Sequence, residues 1–126
     1  MFQVVHTWSS VTIENRVGYV RVVGGTAVVC PRGELDLATI SDVQELLDRA
    51  RATRVSSVVV DLCEVSFIDA ASVGALIRAW SAARQSGQRL RVDGLANQPA
   101  RVFDILRLRG LLMPHSSEVG ATGRTA

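Results

Sequence analysis

Ser57-Val58-Val59-Val60-Asp61-Leu62, followed shortly by Phe67-Ile68-Asp69-Ala70-Ala71-Ser72-Val73-Gly74, decides the fold. The first stretch is a continuous apolar run rich in valine, the kind of strand that is covered on both faces in a parallel sheet. In the second the period changes. Asp69 is a suitable N-cap, and Ile68 and Val73 stand at the N′ and N4 positions of a hydrophobic staple. Val73, Leu76, Ile77 and Trp80 then fall on one helical stripe, with Arg78, Ser81 and Gln85 facing out. Gly87 is placed to end this helix in a left-handed cap. A buried strand passing into an amphipathic helix is the repeating unit of an α/β fold.

Toward the N-terminus, Ser41 and Gln44 have capping-box spacing, and Val43, Leu46, Leu47 and Ala50 share one face, so a first helix is expected there. Before it, Gly18-Tyr-Val-Arg-Val-Val23 and Thr26-Ala-Val-Val-Cys30 flank Gly24-Gly25 and read as a β-hairpin. Pro31 has no N–H for a ladder, so the second strand should end there. Residues 1–17 are loosely patterned. Toward the C-terminus, Arg89-Leu-Arg-Val-Asp93 alternates as a fourth strand. A third helix is expected from about Gln98, with Asn97 as N-cap, Pro99 in the first turn, Val102, Phe103 and Leu106 as its core face, and Gly110 as its stop. From Met113 to residue 126 the chain has little to bury and reads as a flexible tail. The expected architecture is a single α/β domain over residues 18–112: a mixed sheet of about four strands with an N-terminal hairpin and helices packed against it.

Composition narrows the function. The 126 residues suffice for one core. All 14 basic residues are arginine, and without lysine there is no Schiff base, no phosphate-loop lysine and no lysine general base. The arginines are scattered and the net charge is only +2, which argues against nucleic acid as a partner. No apolar run is long enough to cross a bilayer and no secretory leader pattern opens the chain, so a cytoplasmic protein without a membrane partner is expected. Cys30 and Cys63 each lie in apolar runs and read as reduced core thiols; His6 and His115 lie far apart, and no metal site is expected. Trp8 reads as an exposed or edge-packing residue.

Asp61 at the end of its strand invites comparison with a phosphate-accepting aspartate. That chemistry needs an early acidic pair for Mg²⁺ and a late lysine, and the chain has neither. Asp61 is instead read as a strand-end residue satisfying nearby backbone donors. Glu34, Asp36, Asp61, Glu64 and Asp69 gather on one rim, yet nothing in the sequence indicates a cleft that would tune an acid–base pair. No catalytic residue and no cofactor are expected, and the chain is not read as an enzyme.

Two segments exceed a purely structural reading: Arg32-Gly-Glu-Leu-Asp-Leu-Ala-Thr39 and residues 67–74. Each follows a strand and precedes a helix, so both should emerge on the sheet edge where open α/β folds bind their partners. Gly33-Glu-Leu-Asp36 closely resembles the G-E-L-D signature of STAS domains, the family of the anti-sigma factor antagonists and of the related domains of sulfate transporters. Phe67-Ile-Asp-Ala-Ala-Ser-Val-Gly74 resembles that family's F-[IM]-D-S-S-G-[LV]-G, and the likeness runs in order from about Val20 to Leu112.

The resemblance implies a partner-switching regulator of sigma-dependent transcription. Its partner would be an anti-sigma factor of the histidine-kinase-type ATPase fold, contacted through Asp36, Leu37, Thr39, Asp69, Ala70, Ala71, Ser72, Val73 and Gly74; a homodimer is left open. In the family the second serine of D-S-S-G is phosphorylated, and the added −1.5 to −2 charges disfavour docking. Here Asp69 matches the motif aspartate, Ala70 and Ala71 match the serines, and Ser72 matches the first glycine. Phosphorylation at the usual position, Ala71, is chemically impossible. Ser72 is turned by about 100° from that position and reads either as a displaced phosphosite or as an N3 residue beside the cap. The alternative function is a small-ligand-sensing or transport-associated STAS domain using the same edge.

Overall fold

The computed structural model describes residues 3–6 and 10–113, with side chains from residue 11 onward. Trp8, His115 and the expected tail from residue 114 lie outside the described residues. The elements run β1 Gln3–His6, β2 Ser10–Asn15, β3 Gly18–Val23, β4 Thr26–Pro31, β5 Gly33–Leu35, α1 Ile40–Ala52, β6 Ser57–Asp61, β7 Val65–Ile68, α2 Ala70–Gln85, β8 Arg89–Asp93, α3 Asn97–Ile105 and α4 Arg109–Leu112.

Among the described residues the main sheet is mixed and has six strands in the order β1-β2-β3-β4-β6-β8. β1 through β4 are antiparallel neighbours; β4, β6 and β8 are parallel. β3 and β4 form the expected hairpin, with Val23 opposite Thr26 around Gly24-Gly25. A separate parallel ribbon pairs β5 with β7.

The helices lie on one side of the sheet. α1 packs on β2, β3 and β4, while α2 and α4 pack on β8. The strand residues beneath them alternate as required: Val20 on β3, Ala27 and Val29 on β4, Val58 and Val60 on β6, and Leu90 and Val92 on β8 are all buried. They meet Val43, Leu46, Leu47 and Ala50 of α1 and Val73, Leu76, Ala79 and Ala83 of α2 in one core, closed by Phe103, Leu108 and Leu112. Ile77 and Trp80 are half-buried at its margin. Gly87 has φ +82°, and the Gln88 N–H returns to the Ala83 carbonyl at 2.8 Å, the left-handed helix stop read from the sequence.

Several expectations need correction. The sheet has six strands rather than about four, because the loosely patterned N-terminal segment contributes β1 and β2. The ribbon β5–β7 lies in stretches read as connections, since three- and four-residue strands carry almost no periodic signal. Ser41 does not cap α1: the helix begins at Ile40, its N-cap is Thr39 without a side-chain cap bond, and Gln44 reaches forward to Asp48. Asn97, at φ +56°, opens α3 rather than capping it; the N-cap position is Ala96.

The end of α3 also differs. The helix stops at Ile105, Arg107 turns the chain at φ +57°, and Leu108 takes the buried place expected for Leu106, which is exposed. Gly110 lies within α4 instead of ending α3. Cys30 is buried, but Cys63 sits in the turn closed by the Val65 N–H on the Leu62 carbonyl and is exposed.

Candidate functional site

The β5–β7 ribbon brings the two singled-out segments together. Glu34 lies opposite Phe67 and Leu35 opposite Ile68, and the Asp69 N–H donates to the Leu35 carbonyl at 3.1 Å. The backbones entering residues 36–39 and 69–74 therefore leave the ribbon side by side. Parallel pairing fixes this edge, because both strands end in the same direction.

The 36–39 loop is tied by its own polar side chains. The Thr39 hydroxyl accepts the Asp36 N–H at 3.0 Å and donates to the Glu34 carbonyl at 3.1 Å, while the Asp36 carboxylate accepts the Ala38 N–H at 2.9 Å. This is Asx-type turn chemistry, in which short polar side chains replace absent ladder partners. With Asp36 and Thr39 half-buried, Leu37 is driven outward and is 75% exposed. Arg16 braces the loop from outside: one guanidinium N–H donates to the Ala38 carbonyl at 3.1 Å and another to the Asp42 carboxylate.

The second segment starts α2 as the sequence indicates. The Asp69 carboxylate accepts the Ser72 N–H at 2.8 Å, and Asp69 is in extended conformation, as an N-cap should be. Ile68 and Val73 are both buried, consistent with a staple. Ala70 is exposed, Asp69, Ala71 and Gly74 are half-buried, and Ser72 and Val73 lie beneath the surface. Ser72 is 0% exposed, and its hydroxyl oxygen has no hydrogen-bond partner among the described residues. Its backbone, not its side chain, serves the cap.

Sequence reasoning missed Gln98, Arg16 and Phe67. The Gln98 side-chain amide accepts the Ile68 N–H at 2.9 Å and donates to the Ile68 carbonyl at 3.1 Å, acting as a one-residue strand on the free edge of β7. Phe67, on β7, is 40% exposed, and the loop that carries Leu37 leaves the same ribbon from β5. The apolar F-I-D motif could have drawn attention to Phe67, but no local pattern signals a contact from Gln98 across 30 positions.

Asp61 behaves as read: its carboxylate accepts the Cys63 N–H at 3.0 Å. A hydrogen bond to that carboxylate, reinforced by desolvation and by its charge, pushes the Cys63 thiol above its ordinary range. Cys30 is raised too, chiefly by burial. Among the described residues no group of three or more His, Cys, Asp and Glu side chains could hold a metal ion, and no helix is long and apolar enough to cross a membrane. A cleft of about 780 Å³ lined by Asp48, Arg51, Arg54, Ser86 and Gln88 lies at the other end of the parallel strands, away from the two segments.

An α/β sheet with both motif-bearing segments on one edge defines a STAS-type domain. The chain belongs to this family: the family model described as "Mlab, STAS domain" matches residues 20–114. An anti-sigma-B factor antagonist of Staphylococcus epidermidis is 31% identical over 80 residues, covering 64% of this chain and 74% of that protein. Among solved structures, an anti-sigma factor antagonist from Mycobacterium paratuberculosis superposes with a TM-score of 0.68 at 19% identity, over 75% of this chain and 80% of that one. The unphosphorylated anti-sigma factor antagonist SpoIIAA gives 0.55 at 18% identity, over 88% and 100%. These two structural likenesses bear on the fold. The sequence relatives, at modest identity, support the general class of anti-sigma factor antagonist.

Proposed function

We propose that this chain is an anti-sigma factor antagonist that docks the edge formed by residues 36–39 and 69–74 onto an anti-sigma factor of the histidine-kinase-type ATPase fold, and that it does so without phosphorylation at the edge. The observation that carries the reading is the pairing of the two segments through the Asp69 N–H and the Leu35 carbonyl, which sets exposed Leu37 beside the exposed start of α2. An apolar projection flanked by half-buried carboxylates suits the core and rim of a protein interface better than it suits catalysis.

The regulatory half of the reading rests on two side chains. Ala71 has no hydroxyl to accept a phosphoryl group. Ser72 has one, but it is fully buried at the first turn of α2, where a kinase cannot reach it in line. Docking is then controlled by the amount of the antagonist or by the partner's nucleotide state.

The test is binding of the purified chain to anti-sigma factor ATPases from its source organism, with ADP or ATP present. Saturable binding that weakens on Leu37→Asp supports the reading. Absence of binding to each of them, with a small molecule or a transporter subunit co-purifying instead, would move the function to the ligand-sensing or transport-associated class.

A further inference from the structure

The second turn of α2 holds Gly74, at a place where glycine weakens a helix relative to alanine. Nothing inside the domain asks for it. Its φ is not in the left-handed region. Apart from the helix's own backbone, the atom that a Cβ there would meet within 4 Å is Nη1 of Arg78, at 3.4 Å, an ordinary contact. The bare backbone at Gly74 thus lies under the Arg78 side chain and not against the core.

Arg78 stands four residues on, and helical side chains lean toward the N-terminus of their helix. Its guanidinium therefore lies back over Gly74 and points toward Ala71, which shares the same face of α2. Arg78 is exposed and, among the described residues, has no ion pair and no hydrogen bond. Its own helix could not supply one. The positions three and four residues away are Gly74, Ala75, Ser81 and Ala82, and α2 holds no acidic residue. Nor does Arg78 serve the helix dipole, since it lies in the middle of α2 and Arg84 occupies the last turn. The carboxylates of the neighbouring edge are committed elsewhere: Asp36 accepts the Ala38 N–H and Asp69 the Ser72 N–H.

We propose that Arg78 is a specificity-determining contact of the docking edge, whose guanidinium donates to an aspartate or glutamate carboxylate of the anti-sigma factor. The inference rests on the docking reading above and adds to it the chemistry that the partner must carry. The planar guanidinium matches a carboxylate through two parallel hydrogen bonds, which fixes orientation as well as charge. Gly74 keeps the face between Ala71 and Arg78 low, so the partner's chain reaches the guanidinium at close range. A carboxylate of the partner is repelled beside Asp36 and Asp69 and drawn to Arg78, and this sets the register of docking.

Isothermal titration calorimetry of the full chain with the anti-sigma factor ATPase that it binds, at about 50 and about 300 mM salt, tests the proposal. Arg78→Gln is expected to raise Kd at least about tenfold and to flatten its salt dependence. Arg78→Lys keeps the charge but loses the planar pair of donors, and should fall between. Arg54→Gln, in the cleft at the opposite end of the parallel strands, should bind as the unaltered chain does. Thermal unfolding of the two Arg78 variants should match that of the unaltered chain, because the guanidinium has no partner within the domain to lose. Binding that is indifferent to Arg78→Gln, or weakened as much by Arg54→Gln, overturns the contact and leaves the docking reading standing. Absence of binding by the unaltered chain overturns the docking reading and the contact with it.

Discussion

The Gln98 side-chain amide brackets Ile68, accepting its N–H at 2.9 Å and donating to its carbonyl at 3.1 Å. It thereby closes the outer edge of β7 one residue before Asp69 begins the edge proposed for docking. An unpaired strand edge is otherwise open to water or to another chain.

Replacing Gln98 by alanine is expected to destabilise the domain by about 1–3 kcal/mol, because the part-buried peptide groups of Ile68 lose both partners. Urea unfolding measures this, and hydrogen exchange at Ile68 should accelerate more than exchange in the middle of α2. Unchanged exchange at Ile68 would show that the bracket contributes nothing.

Asp69→Ala removes the carboxylate that accepts the Ser72 N–H and should cost about 1 kcal/mol, whereas Asp69→Asn should cost much less. The comparison by thermal unfolding separates capping from charge. Equal losses for the two variants would assign the effect to charge instead.

These two residues also mark how far the sequence could be read. Asp69 was legible because an N-cap and its staple lie within six consecutive residues. Gln98 was not, since its target lies 30 positions away and an exposed-looking glutamine carries no local signal. The same contrast holds elsewhere. The helical faces of α1 and α2 and the β3–β4 hairpin follow from period and turn chemistry. The start of α1 was misplaced because Thr39 spends its hydroxyl on Asp36 and Glu34 rather than on the helix, which leaves Ser41 inside it. β2 was missed although Val11 and Ile13 alternate with polar residues. Its stability is tertiary, through pairing with β3 and packing under α1. Of the candidate site, the two segments and their common edge were legible. The burial of Ser72 was not, because a serine at N3 reads as a polar cap residue.

Gly94 follows β8 at φ +76°, and a Cβ there would lie 2.4 Å from the Asp61 carboxylate and 2.9 Å from the Cys63 nitrogen. Gly94→Ala is therefore expected to cost about 2–3 kcal/mol, from left-handed strain and from displacement of the turn after β6. Gly24→Ala, which has similar φ but open space, should cost about 1 kcal/mol. Chemical denaturation of the pair checks the difference; equal costs would mean that the turn yields freely.

Cys63 is exposed, yet its thiol is held above the usual range by the Asp61 hydrogen bond, with desolvation and the carboxylate charge adding to it. Raising a thiol pKa lowers the thiolate fraction at neutral pH, so alkylation of Cys63 should be slow at pH 7 and climb as pH rises above the ordinary thiol range. Asp61→Asn should speed it at neutral pH. Iodoacetamide labelling followed by peptide mass mapping measures the rate, and an unchanged rate in Asp61→Asn would contradict the assigned cause.

Ser72 buries a hydroxyl with no partner among the described residues, and burying such a group costs about 1–3 kcal/mol on mutational scales. Ser72→Ala should consequently be neutral or stabilising in thermal unfolding. A loss above about 1 kcal/mol would show that the hydroxyl is bonded after all.

The central claim is docking without a phosphoryl switch, and one paired measurement addresses it. The chain and its Ala71→Ser variant are each incubated with the anti-sigma factor kinase and ATP, then followed by intact mass and by binding to the same partner. The account predicts that the chain keeps its mass and its binding, while Ala71→Ser, with a hydroxyl at a half-exposed position, gains one phosphate and loses affinity. A phosphate on the unaltered chain, or no binding by it in any nucleotide state, would contradict the account.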